Sequence, residues 1–202
     1  MLVAALPLNT IFISWGLVVL AQENKHKFSI TEYLSLFEQE IISGIPSTEL
    51  LNGEIFELSP LGFRHAKTQQ LIQNFLITAM GTSDVYQNGS IIAGDNDMPE
   101  PDIYVLKEKA IIKNNYPIAE QLRLVVEVAD STIRTDTFND GSSKLGIYAR
   151  AGIATVWVVD VEKQLIHEFT EPKASIYQSC KIHFGDTTLF GRAVSINQLI
   201  AE

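Results

Sequence analysis

The sequence predicts one α/β domain, on three observations. The run Leu122 to Ala129, LRLVVEVA, is almost continuously apolar, as a strand buried on both faces of a sheet would be. Thr155 to Asp160, TVWVVD, is equally apolar, and a short helical stretch from about Ser142 to Arg150 separates the two. A strand, a helix and a second strand in that order form a β–α–β unit with parallel strands and a right-handed crossover. The composition agrees: 202 residues that are 46% hydrophobic and 19% charged can bury a substantial core.

The other elements follow in chain order. Ser29-Ile-Thr-Glu32 has the form of a capping box, and Ile30, Tyr33, Leu34, Phe37 and Ile41 recur at helical spacing. These predict a helix from about Thr31 to about Ile42, ended by Gly44 and Pro46. In ELLNGEIFEL, Asn52-Gly53 marks a tight turn between two short strands. A second helix is expected from His65, with Thr68, Leu71, Ile72, Phe75, Leu76 and Ala79 on one face and Gly81 as its stop. Strands are expected at Val85 to Ala93, Asp102 to Leu106 and Leu165 to Thr170, with a capped helix from Ser195 to the end.

The net charge of −9 argues against a protein held on nucleic acid by general charge, which requires a basic surface. A local basic groove, or carboxylates neutralised by metal, remains compatible with it. Cys180 is the only cysteine, which excludes an intramolecular disulfide and a cysteine-built metal site and fits a cytoplasmic setting. Residues 1–22 contain no charged residue or histidine. The stretch IFISWGLVVLA resembles the apolar part of a signal peptide, yet no basic region precedes it. Pro7, Asn9, Thr10, Ser14 and Gly16 interrupt the roughly 20 apolar residues of a spanning helix. Residues 1–24 are therefore expected to be an extension outside a domain of residues 25–202, with a signal or anchor and an added core element as open alternatives.

Three side chains point to chemistry. Pro101 places Asp102 at the mouth of its strand, where a solvated turn carboxylate is the bland alternative. Glu127 sits inside a strand whose neighbours all read as core, so it needs compensation by a metal or by a salt bridge, for example to Arg123 or Arg150. Lys144 starts the helix that follows, with Tyr148 one turn on and facing the same way. The end of a strand and the start of the next helix share one side of a β–α unit, so Lys144 is within reach of Glu127. Two carboxylates and a lysine suit metal-assisted phosphodiester hydrolysis, with Mg²⁺ or Mn²⁺ favoured over zinc.

The fragments FSITEYLSL, ELLNGEIFELSPLGFRH, EPDIYVL, LVVEVADST, ARAGI and VWVVD, with Asp140, Lys144 and Tyr148 spaced D-x-x-x-K-x-x-x-Y, occur in one order. Over about residues 28 to 200 the chain resembles the Uma-type restriction endonucleases, a branch of the PD-(D/E)XK nuclease superfamily. The resemblance implies a restriction-endonuclease-like fold, a central mixed sheet flanked by helices, and cleavage of DNA. It implies Asp102 and Glu127 as metal ligands and Lys144 as the catalytic lysine, since the superfamily's usual position two residues after the Glu is Ala129 here. Glu49 matches a further metal or water contact, and His65 a phosphate or water contact or a local hydrogen bond at a helix start. A homodimer is expected, because cutting both strands pairs two active sites. The chain departs from the family pattern at Asn52, where Asp is common, at Thr155-Val156 and at Ile153-Ala154, none of which removes the Asp–Glu–Lys set. A nuclease-fold module that binds nucleic acid or a protein without cutting is the alternative.

Overall fold

The computed structural model describes residues 25–42, 47–113, 115–129 and 143–201. Residues 1–24 and their three readings lie outside these, as do Gly44, Pro46, Asp140 and Ser142. Helix α1 spans Ile30–Glu38, hairpin strands β1 and β2 span Thr48–Leu51 and Glu54–Glu57, and helix α2 spans Phe63–Met80. Then come β3 (Val85–Gln87), β4 (Ile103–Leu106), β5 (Leu122–Ala129), α3 (Lys144–Arg150) and β6 (Thr155–Asp160). The chain ends with β7 (Leu165–Lys173), β8 (Ile176–Phe184), β9 (Asp186–Leu189) and β10 (Arg192–Ser195).

Six strands form one mixed sheet in the order β3-β4-β5-β6-β7-β8. Only β5 and β6 run parallel, with Val125 opposite Val156 and Glu127 opposite Val158. The expected β–α–β unit is therefore present, and its two apolar strands are central. Alternation sends Val126 and Val128 of β5 to one face, where they pack with Ile72 and Leu76 of α2 and with Trp157 of β6. Val125 goes to the other face, against Leu145, Tyr148 and Ala149 of α3. Strand period thus places Glu127, two residues after Val125, on the α3 side.

Ser29 and Glu32 close the capping box reciprocally: Ser29 N donates to Glu32 Oε2 at 2.8 Å, and Glu32 N donates to Ser29 Oγ at 3.3 Å. The Ser29 N–H and the Ser29 hydroxyl, which also donates to Glu32 Oε2 at 2.8 Å, hold the Glu32 carboxyl below its usual value of 4.5. A carboxyl lowered in the fold contributes stability above its unfolded pKa and loses it as pH falls through the folded one. Glu32→Gln will therefore lower the melting temperature slightly at pH 7 and by progressively less as pH falls below the usual carboxyl value, as thermal unfolding followed by circular dichroism across that range will show.

The β1–β2 turn places Asn52 at φ 51° and Gly53 at φ 74°, both left-handed, as a tight hairpin requires. A Cβ on Gly53 would also lie 2.9 Å from Lys27 Cβ.

Several expected elements differ. Helix α1 ends four residues early, where Glu40 turns to φ 57°. Only Val85–Gln87 of the expected strand to Ala93 joins the sheet, because Asn88 adopts φ 49° and diverts the chain. Strand β7 runs on to Lys173 to pair with β8, which sequence reading did not find. The final segment forms a single 3-10 turn, Ile196–Gln198, since Ile196, Leu199 and Ile200 dock directly into the core. Among the described residues no helix is long and apolar enough to cross a membrane.

Candidate active site

The mouth of the sheet at the C-terminal end of β5 collects side chains from five elements. Beyond the last β4–β5 pair, Ile103 with Val126, the Val128 N–H donates to Asp102 Oδ2 at 2.6 Å. Asp102 thus closes the gap where the ladder ends. Its Oδ1 accepts from Gln69 Nε2 at 2.7 Å and lies 2.8 Å from His65 Nε2. Helix α2 supplies both residues, four apart on one face. The partly buried Asp102 carboxylate is therefore oriented by three groups and is not a solvated turn residue.

On the α3 side, Ser143 caps the helix by accepting from Gly146 N at 3.1 Å, which places Lys144 in the first turn. Lys144 Nζ lies 3.0 Å from Glu127 Oε1 and 3.1 Å from Glu49 Oε2, and donates to the Glu100 carbonyl at 3.0 Å. These three acceptors use all three ammonium protons. The Tyr148 hydroxyl donates to Glu127 Oε1 at 2.5 Å. Neither arginine considered as a partner for Glu127 serves: Arg123 lies over the Phe190 ring, and Arg150 pairs with Asn52 and Asp97. The sequence placed Lys144 within reach of Glu127 and left the arginines as alternatives; the structure decides for Lys144.

Burial pushes the Glu127 carboxyl up to about 7, Asp102 and Glu49 add to the rise, and Lys144 and Tyr148 oppose it. Burial lowers the Lys144 ammonium, but Glu127 and Glu49 outweigh it and the net direction is upward. Tyr148 is raised by burial and by Glu127. Three carboxylates, Glu49, Asp102 and Glu127, thus share the site with the Lys144 ammonium.

His65, Glu100, Asp102, Glu127 and Lys144 line one cavity of about 610 Å³, together with the apolar Leu58, Pro60 and Leu61. Glu49 reaches the cluster through Lys144. All five sequence-derived candidates therefore meet at one place. Sequence reading missed Gln69, for which helical spacing from His65 was the available signal, and Glu100, whose part is played by its backbone carbonyl and left no signal.

The donor chemistry suits a hard divalent cation: the oxygens are carboxylates, and Asp102 and Glu127 both line the cavity. Among the described residues no three His, Cys, Asp or Glu side chains form a ready-made ligand cluster. The donors fit in kind.

A family model named Uma2 and described as "Putative restriction endonuclease" matches residues 31–198. The chain belongs to this family. The Uma2 chain is also similar to a solved structure from Anabaena variabilis, described as a putative nuclease belonging to DUF820. The TM-score is 0.63 at 17% identity, covering 85% of this chain and 97% of the other. At that identity the likeness establishes a shared nuclease-like fold, the mixed sheet with flanking helices described above. No curated protein matches this Uma2 chain.

Proposed function

We propose that this chain is a DNA endonuclease that hydrolyses phosphodiester bonds with Mg²⁺, or Mn²⁺ in its place. The observation that carries the proposal is Lys144, held between Glu127 and Glu49 at a cavity that Asp102 and His65 also line. Asp102 and Glu127 would hold the ion, with Glu49 as a further metal or water contact. When bound, the ion supplies polarisation of the phosphoryl oxygen and acidification of water. The chain's own groups do the rest. Lys144 stabilises negative charge developing on the phosphate, or orients the attacking water. Glu49 and the Glu100 carbonyl fix the ammonium, Gln69 and Val128 N fix Asp102, and His65 contacts a phosphate oxygen or water. Two copies acting together would cut both strands, and we place this activity in the cytoplasm.

The test is cleavage of supercoiled, linear and branched DNA. Nicking or linearisation is expected with Mg²⁺ or Mn²⁺ and none with EDTA. No cleavage of any form with either ion would overturn the reading. That result would favour the alternative, a nuclease-fold module that binds without cutting, which the net charge of −9 supports.

A further inference from the structure

Behind the cleavage site lies a second cavity of about 580 Å³, within the size range of small-ligand sites. Ser47 and Glu100 line both cavities, so the two meet across these residues. Its walls include the rings of Tyr33, Phe37 and Tyr116 and the side chain of Met98. Tyr33 and Phe37 meet edge-to-face with centroids 5.2 Å apart, and the Tyr33 hydroxyl is fixed by donating to the Thr48 carbonyl at 2.8 Å. The only charged residues among the described lining residues are Glu38 and Glu100. A phosphate would be repelled there, whereas a flat neutral ring carrying an N–H donor would be accommodated. Glu100 Oε2 accepts from Ser47 Oγ at 3.0 Å, and Oε1 accepts no hydrogen bond from the described residues.

We infer that this cavity receives one nucleobase of the substrate strand, turned out of the base stack while its phosphate lies at the neighbouring cleavage site. The inference rests on the endonuclease reading and adds to it a choice of substrate, DNA with an unpaired base. Stacking on Tyr116 and Phe37 is tolerant of base identity. The Glu100 carboxylate adds a preference, since it accepts from the amino group of cytosine, whereas thymine presents carbonyls on both sides of its only ring N–H. Extrusion costs least where the base is already unpaired.

Fluorescence anisotropy tests this, with Ca²⁺ in place of Mg²⁺ and three labelled duplexes: fully paired, with one bulged cytosine, and with one bulged thymine. The bulged-cytosine duplex is expected to bind about tenfold more tightly than the paired one. It should also bind about tenfold more tightly than the bulged-thymine duplex. Tyr116→Ala should remove the advantage of the bulge and leave binding to paired DNA, while Tyr116→Phe keeps the ring and the advantage. Glu100→Gln should erase the cytosine preference. Equal binding of all three duplexes by the unaltered chain would overturn the base pocket. If DNA is nonetheless cleaved in Mg²⁺, the endonuclease reading survives that result. If no duplex binds and none is cleaved, both fall.

Discussion

If the chain is the proposed endonuclease, Lys144→Met will lower metal-dependent DNA cleavage by at least about 10³-fold, ~4 kcal/mol of transition-state stabilisation. The same change will destabilise the fold by about 2–4 kcal/mol, because breaking a buried ion pair leaves its partners uncompensated. Two partners are left here, Glu127 and Glu49, together with the Glu100 carbonyl. The pair is a fifth to a quarter exposed, which keeps the cost below that of a fully enclosed one. Methionine retains most of the apolar stem, so packing changes little and the loss reports on charge. Urea unfolding measures the stability term. Adding Mn²⁺ should raise the midpoint of the variant more than that of the unaltered chain, because the ion replaces the missing positive charge between the same carboxylates. Cleavage within tenfold of normal would remove Lys144 from the chemistry. An unchanged urea midpoint would show that Glu49 and Glu127 do not depend on it.

Trp157→Ala should cost about 3–5 kcal/mol, the range for truncating a fully buried aromatic side chain. Trp157 is 1% exposed, packs with Ile72 and Leu76 under α2, and stacks on Phe190 with centroids 5.4 Å apart. Its indole N–H also donates to Glu168 Oε1 at 3.3 Å, and the other Glu168 oxygen lies 2.9 Å from buried His183. The alanine variant therefore opens a cavity and takes a donor from a carboxylate paired with a buried histidine. Trp157→Phe keeps one six-membered ring and loses the donor and part of the indole volume, so it should cost less, about 1–3 kcal/mol. Calorimetric or urea unfolding of the two variants measures both losses. Equal losses would mean that the six-membered ring's packing carries none of the effect.

The central unit was legible because its signals are local. An eight-residue apolar run, a helix and a second apolar run admit few arrangements, and β5 and β6 begin and end where the sequence reading places them. A carboxylate in such a strand stands out, since burying charge is costly, and this singled out Glu127. The hairpin at Asn52-Gly53 was equally plain, because the turn needs two left-handed residues. The edge of the sheet was not. Strand β8 mixes Gln178, Ser179, Cys180 and Lys181 among its apolar residues, and it becomes a strand by pairing along β7. The same limit applied to Val85–Ala93, where the backbone turn at Asn88 overrides a β-like composition.

From the residues alone come the α/β class, the parallel pair at its centre, and the pressure for something positive near Glu127. They also put Lys144 within reach of Glu127, and the tertiary structure excludes Arg123 and Arg150 as its partner. It also brings Glu49, 78 positions before Glu127, to the same ammonium and lets Asp102 close the β5 ladder at Val128. The reason is physical: periodicity and propensity act over a few residues, whereas the partner of a buried charge is set by which backbones the sheet brings within about 3 Å.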